Sequence, residues 1–365
     1  MRARLSQWRT LVGPMNARKV DEIECVASVL VAILFAHLLR APYVSWAAYS
    51  GYMVMRGHAG ETLRRGVLRI VGTAAGGLLA LVAMPLLRGG WPLVAVALTL
   101  VGTASLYGAT TARRAYAWLF FGLTFAMVVL EGAAHPAAAV GGFVRDRLLE
   151  VVAGTLACLL ISLASTLTLR RRWPARAAPP PKVLGWHRQS LRHAAQGGVA
   201  LAGLAGIAAL WDVPALSQSA ITIMAVMLVP GDAIGSSGLM SVNRRILHRF
   251  LGCMAGAALA ALVLLAANGS APILILGTVA GVAFGRHMEN GGRPTSYVGT
   301  QFVLAILIIL VPDSYADARI APGLARLAGI VIGMAVLEPV LVLWHLVRPD
   351  RRRATDQAES ELGGI

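Results

Sequence analysis

The chain has 365 residues, of which 57% are hydrophobic and 14% charged, and a mean hydropathy of +0.69. A soluble globular domain carries about 25% charged residues, so an ordinary soluble enzyme or binding module is excluded and an integral membrane protein is expected. The formal charge of +16 is no nucleic-acid signature, because the 33 basic residues fall in short clusters between apolar runs and form no continuous basic face.

In chain order, apolar runs predict spans at 23–39, 43–55, 67–87, 91–109, 115–131, 146–169, 194–211, 214–230, 247–267, 271–288, 295–311 and 322–346. The first run ends without a small-residue cleavage pattern and is expected to be retained. The second run is short and, taken alone, fits a re-entrant segment. Counting it as a crossing places 27 of the 33 basic residues on one side, the pattern of cytoplasmic loops, and six on the other. Both termini are then cytoplasmic.

The expected fold is all-α: a polytopic membrane protein of about twelve transmembrane helices arranged as two parallel six-helix repeats. Residues 1–22 form a cytoplasmic N-terminal segment, 23–169 and 194–346 the two membrane repeats, and 347–365 a cytoplasmic tail. The stretch 170–193, "RRRWPARAAPPPKVLGWHRQSLRH", is basic and proline-rich, which suits an extended cytoplasmic linker. The repeat is read from spacing. Arg69, Gly72 and Gly76 recur as Arg249, Gly252 and Gly256 at a shift of 180. Arg147 and Gly154 recur as Arg326 and Gly333 at 179, and Tyr116 as Tyr297 at 181. Six spans per half is an even number, so the repeats are parallel.

Glycines four residues apart flatten one helix face, so Gly72 with Gly76, and Gly252 with Gly256, are expected helix-packing positions. Arg69 and Arg249 lie one turn before the first glycine of each pair, where the sequence has the helix beginning at the cytoplasmic boundary. From there a guanidinium can snorkel to headgroups or line a vestibule that meets a carboxylate, and the sequence leaves both open.

Trp46 in "VSWAAYSGYMV", the basic "GHAGETLRRGVLR" and then "RIVGTAAGGLLAL" resemble the N-terminal signature of the fusaric acid resistance and aromatic acid exporter family. Trp46, Arg69, Gly72, Thr73 and Gly76 fit its pattern. The second half keeps Arg249, Gly252 and Gly256 but has Cys253 at the threonine place and "SQSAITIMAVMLVP" at the tryptophan run. The resemblance implies an exporter of aromatic or other organic acids in the bacterial inner membrane, driven by the proton gradient and often paired with a periplasmic adaptor protein and an outer-membrane channel. A homo-oligomer is also compatible with it. Many members carry a cytoplasmic domain, for which this linker is too short.

Ionisable groups inside spans are costly and mark function by default. Glu338, deep in the last span and followed by Pro339, is the leading proton-coupling candidate, with pairing to Arg69 or Arg249 as its structural alternative. Glu150 is a shallower candidate, beside Asp146 and Arg147. Gln218, Thr222 and Gln301 are candidate hydrogen-bonding groups for an organic acid, and Trp46 a candidate stacking surface; interhelical packing and an interfacial tryptophan belt are the competing roles. Glu131, His135, Asp212, Asp313 and Asp317 are expected at outer loop edges, and "RHMENGGRP" at 286–294 as a turn.

Cys25, Cys158 and Cys253 are odd in number and lack metal-ligand spacing, so no disulfide framework, metal or other cofactor is expected. No GxxxxGK[ST], HExxH or GxSxG is present, which argues against an ATP-driven pump of that type and against an enzyme. The expected function is a proton-coupled secondary transporter exporting organic acids. A passive organic-anion channel and a non-transporting membrane scaffold remain open alternatives.

Overall fold

A computed structural model describes residues 15–134, 137–176, 185–211, 213, 216–229, 238–292, 295–315 and 318–347. His135, Asp212 and Asp317 lie outside the described residues. The described residues form thirteen α-helices: α1 (Ala17–Leu38), α2 (Val44–Val54), α3 (Ala59–Leu87), α4 (Trp91–Thr111), α5 (Ala115–Ala134), α6 (Ala137–Leu167), α7 (Leu169–Arg172), α8 (Arg188–Leu210), α9 (Leu216–Met227), α10 (Gly238–Ala267), α11 (Ala271–Glu289), α12 (Ser296–Leu310) and α13 (Ala321–Val347).

Eight of them, α3, α4, α5, α6, α8, α10, α11 and α13, are long and apolar enough to cross a membrane. Their outer faces agree. On α3, Leu78, Val82 and Leu86 recur every four residues and are exposed, as are Leu156, Leu160, Leu163 and Leu167 on α6. Such stripes would be a liability in water and are at home in lipid. The other expected crossings are shorter or more charged. α2 has 11 residues and α9 has 12, a rise of about 17–18 Å against a hydrocarbon core of about 30 Å. The eight qualifying helices support a polytopic helical membrane protein.

Local chemistry explains the helix ends. Asn16 caps α1, its side chain accepting from the Lys19 amide at 2.9 Å. The α2 N-terminus donates from the Val44 amide to Asp313 Oδ1 at 2.9 Å. α4 and α11 each carry proline in the first turn, Pro92 and Pro272, where no amide is needed. The turn before α11 is made by Asn268 and Gly269 at positive φ.

The short helices end on arginines. Arg65 Nε donates to the Met53 carbonyl of α2 at 3.1 Å, and Arg245 Nε to the Ala225 carbonyl of α9 at 3.1 Å. Each guanidinium satisfies an acceptor left open in the last turn. Arg65 and Arg245 are 180 positions apart.

The chain divides into two compact units that both draw on both sequence halves. The first comprises Met1–Val67, Leu149–Pro179 and Ala255–Arg319; the second comprises Leu68–Leu148, Pro180–Met254 and Ile320–Ile365. In the first, α1 packs on α2 and α11, and α12 on α11 and α2. Gly51 brings α2 against Ala32 of α1, and the Ser28 hydroxyl donates to the Gly51 carbonyl at 2.9 Å. In the second, α4 packs on α8 and α5, and α9 on α5, α8 and α13. Its core is apolar, centred on Leu98, Phe125, Leu204, Met224 and Leu337.

Candidate functional site

Arg69 is not at the start of its helix. α3 begins at Ala59, so Arg69 sits ten residues in, about 15 Å along the axis. The sequence expectation fails because "AGETLRRGV", though polar, is helical and extends α3 by more than two turns. Arg249 is likewise eleven residues into α10. Both side chains are buried, at 3% and 2% exposure, which is the opposite of snorkelling.

In the second unit, Arg69 meets α5. Its Nη1 donates to the Tyr116 hydroxyl at 3.2 Å, and its guanidinium carbon lies 4.0 Å from the centroid of the Phe120 ring. The aromatic pair is itself fixed edge to face, with centroids 4.8 Å apart. Close approach of the two helices is set by glycine: a methyl group on Gly72 would overlap the Ala117 carbonyl oxygen, and one on Gly76 the Phe121 carbonyl oxygen. In the first unit, a methyl on Gly256 of α10 would overlap the Phe302 carbonyl oxygen of α12 in the same way. Gly252 is buried.

Among the described residues, two buried polar atoms on α3 have no hydrogen-bond partner: Arg69 Nε and, one turn further on, the Thr73 hydroxyl, whose residue is 2% exposed. A buried donor left unmade costs about 1–3 kcal/mol, and more when charged. Paired donors on one face of an apolar helix therefore have the chemistry to receive an oxyanion, with an aromatic surface beside them.

The other candidates distribute as follows. Arg249, Gln218, Thr222 and Glu338 belong to the second unit with Arg69; Trp46, Glu150 and Gln301 belong to the first. Glu338 is half-buried on α13, and with the Asn243 amide turned to satisfy its neighbours, that nitrogen donates to Glu338 Oε1 at 3.0 Å and to the Leu239 carbonyl at 3.1 Å. Its partner is thus a neutral amide from α10. Glu150 is fully buried and Gln301 nearly so. The Thr222 hydroxyl is spent on the Gln218 carbonyl of its own helix at 3.0 Å. Trp46 is half-buried and stands edge to face with Tyr49, centroids 5.3 Å apart, and Tyr49 donates to the Leu304 carbonyl of α12 at 2.8 Å.

Sequence reasoning passed over three groups. Ser219, fully buried, lies beside Gln218, and neither the Ser219 hydroxyl nor Gln218 Oε1 has a hydrogen-bond partner among the described residues. Asn243 showed no signal beyond being polar near a span. Phe120 follows Tyr116 by one turn, a spacing that was available.

The model of the fusaric acid resistance protein-like family matches residues 31–161 and 201–338, one stretch in each half of the sequence. The chain belongs to that family. Neither a curated protein nor a solved structure matches it. Membership, with eight helices fit to cross a bilayer, makes it a multi-pass, transporter-like membrane protein. Within the family stretch lie Arg69, Thr73, Tyr116 and Phe120, as do Arg249 and Glu338.

Proposed function

We propose that this family member exports aromatic or other organic acids across the bacterial cytoplasmic membrane, as a secondary transporter coupled to proton entry. One observation carries the reading: Arg69, buried in a membrane helix, keeps Nε and the neighbouring Thr73 hydroxyl unpaired beside Phe120. A carboxylate would take the unpaired donors, and its organic body would lie on the apolar and aromatic wall.

Proton coupling falls to Glu338. Its partner Asn243 is uncharged, so the carboxyl can gain or lose a proton without breaking an ion pair. Glu150, fully buried, is the second candidate. Gln218, Thr222 and Arg249 are proposed further substrate contacts of the second unit, and Trp46 and Gln301 are proposed contacts of the first, each unit taken by itself. Short helices in matching places of two halves are a known pointer to a transport site, and α2 and α9 carry three of these residues.

Twelve crossings, with α1, α2, α9 and α12 added to the eight, and cytoplasmic termini remain the proposed topology. A parallel duplication is supported by Arg65 and Arg245 capping α2 and α9 alike, and by Gly76 and Gly256 each meeting a carbonyl of the following helix but one.

The test is efflux from proteoliposomes holding the purified chain, loaded in turn with radiolabelled benzoate, salicylate and acetate, with and without an imposed pH gradient. Efflux of at least one acid, accelerated by the gradient, supports the proposal. Efflux that runs only to equilibrium at any gradient would make the protein a passive channel, and none at all would remove the transport reading.

A further inference from the structure

In the first unit, α1 and α11 meet along a seam that is charged at one end. Asp21 holds Arg286 with two bonds, from Nε at 2.7 Å and Nη2 at 3.1 Å, and accepts a third from the Asn290 amide at 2.7 Å. One turn along α1, Glu24 accepts from Arg170 of α7 through Nε at 2.8 Å and Nη2 at 2.5 Å, and also from the Ser165 hydroxyl. Arg286 Nη1 lies 3.2 Å from Glu289, which accepts from the Tyr52 hydroxyl at 2.5 Å. At the outer edge, His287 meets Glu22 at 2.8 Å, and Arg18 meets Glu22 at 3.3 Å. Glu24, Arg170 and Arg286 are buried, and Cys25 is wholly so.

The second unit joins α4 to α8 by other means. α4 carries no charged residue. The two helices close on Gly102, Gly197 and Gly198, where an added methyl would overlap Leu201, Leu106 and Thr103 respectively. Their polar tie is neutral: the Tyr107 hydroxyl accepts from the His187 amide at 3.2 Å.

These two seams respond to separation in opposite ways. A buried ion pair gains in attraction about what it loses in hydration, so parting it into water is nearly balanced. A glycine seam lives on close-packed dispersion contacts, which water does not replace and flexible lipid chains replace only in part once it opens. Two bidentate pairs on successive turns of α1 also give definite closed geometry, which a greasy seam does not.

We infer that the charged end of the α1–α11 seam is a gate, which opens by parting Asp21 from Arg286 and hydrating both, while the α4–α8 seam stays shut. Opening exposes the α1 face that carries Asp21 and, one turn further on, Cys25. The inference concerns motion of the first unit and does not depend on which solute the protein carries.

Native Cys25 is a built-in reporter, and Cys253, fully buried in the second unit, reports general unfolding. The full chain in lipid nanodiscs is treated with N-ethylmaleimide and labelling of each cysteine is followed by peptide mass. Cys25 is expected to label measurably faster than Cys253 in the native protein. Asp21→Asn should speed Cys25 on the order of tenfold, with Cys253 unchanged. The exchange Asp21→Arg with Arg286→Asp should return the rate towards the native value. If Asp21→Asn does not fold, a Glu22→Cys, His287→Cys pair bridged by a short reducible thiol cross-linker decides alone: bridging should suppress Cys25 labelling and reductant restore it. Cys25 as inert as Cys253 in the native protein, the two labelling in step in Asp21→Asn, or a rate indifferent to bridging would each overturn the gate.

Discussion

Arg69 lies with its guanidinium carbon 4.0 Å from the centroid of the Phe120 ring, one residue from each of two packed membrane helices. The ring holds the cation without using its donors, which leaves Nε for something else. Replacing Phe120 by Leu removes the quadrupole and keeps the bulk. Contacts of this kind are worth roughly 0.5–2 kcal/mol, so half-saturation for the transported acid should rise several-fold with little change in maximal rate, read from initial-rate transport kinetics.

Helix approach through the glycines has a built-in control. Gly76→Ala drives a methyl into the Phe121 carbonyl, a backbone atom that cannot turn aside, whereas nothing lies within 4 Å of a methyl on Gly60 of the same helix. Overpacking costs about 1–3 kcal/mol. Gly76→Ala should therefore lower the midpoint of thermal unfolding in detergent, with Gly60→Ala equal to or slightly above the native protein, by about 0.5–1 kcal/mol.

Asp21 gives stability a pH dependence outside the spans. Burial pushes its carboxyl up, but the charge of Arg286 and the hydrogen bonds from Arg286 and Asn290 outweigh it, holding the group below its ordinary 3.8. The folded state thus favours the carboxylate. Its contribution is complete above the unfolded value and is lost as pH falls through the lower, folded one. Thermal unfolding scans below about pH 4 should show the native protein losing stability more steeply than Asp21→Asn, with the difference between them largest at neutral pH.

For Glu338, the conservative change is Glu338→Gln, which keeps an oxygen to accept from Asn243 and removes the exchangeable proton. The variant should fold, and its transport should lose dependence on an imposed pH gradient. The rate without a gradient should stay within about threefold of native, since general proton transfer is what has been deleted. Gradient-stimulated transport equal to native would reassign the coupling, first to Glu150.

The sequence made the membrane, the helix order and the Arg-Gly-Gly pattern plain, because hydropathy and four-residue spacing are local quantities. Arg69 was misplaced relative to its helix start for a related reason: hydropathy marks where lipid begins, and α3 starts earlier, in the polar turns around Glu61 and Arg65. Nothing local says that Asp21 will find Arg286, 265 residues away, or that "RHMENGG" ends a helix that grips α1 instead of forming a bare turn. The compact units were equally hidden, since each gathers helices from both halves, and contact between distant segments leaves no period in a single sequence. For Glu338, the leading proton-coupling candidate, the structural alternative was pairing with Arg69 or Arg249; the geometry supplies the Asn243 amide, a contact that charge pattern does not reveal.

The most direct measurement is uptake of radiolabelled benzoate by everted membrane vesicles containing either the native protein or Arg69→Gln, at equal amounts in the membrane. In the proposed binding, Arg69 would make a charge-assisted contact worth about 1.5–3 kcal/mol, so uptake efficiency in the variant should fall by roughly ten- to a hundredfold, and Arg69→Lys, lacking the planar fork, should restore only part of it. Uptake by Arg69→Gln indistinguishable from the native protein, with native uptake well above empty vesicles, would contradict the account.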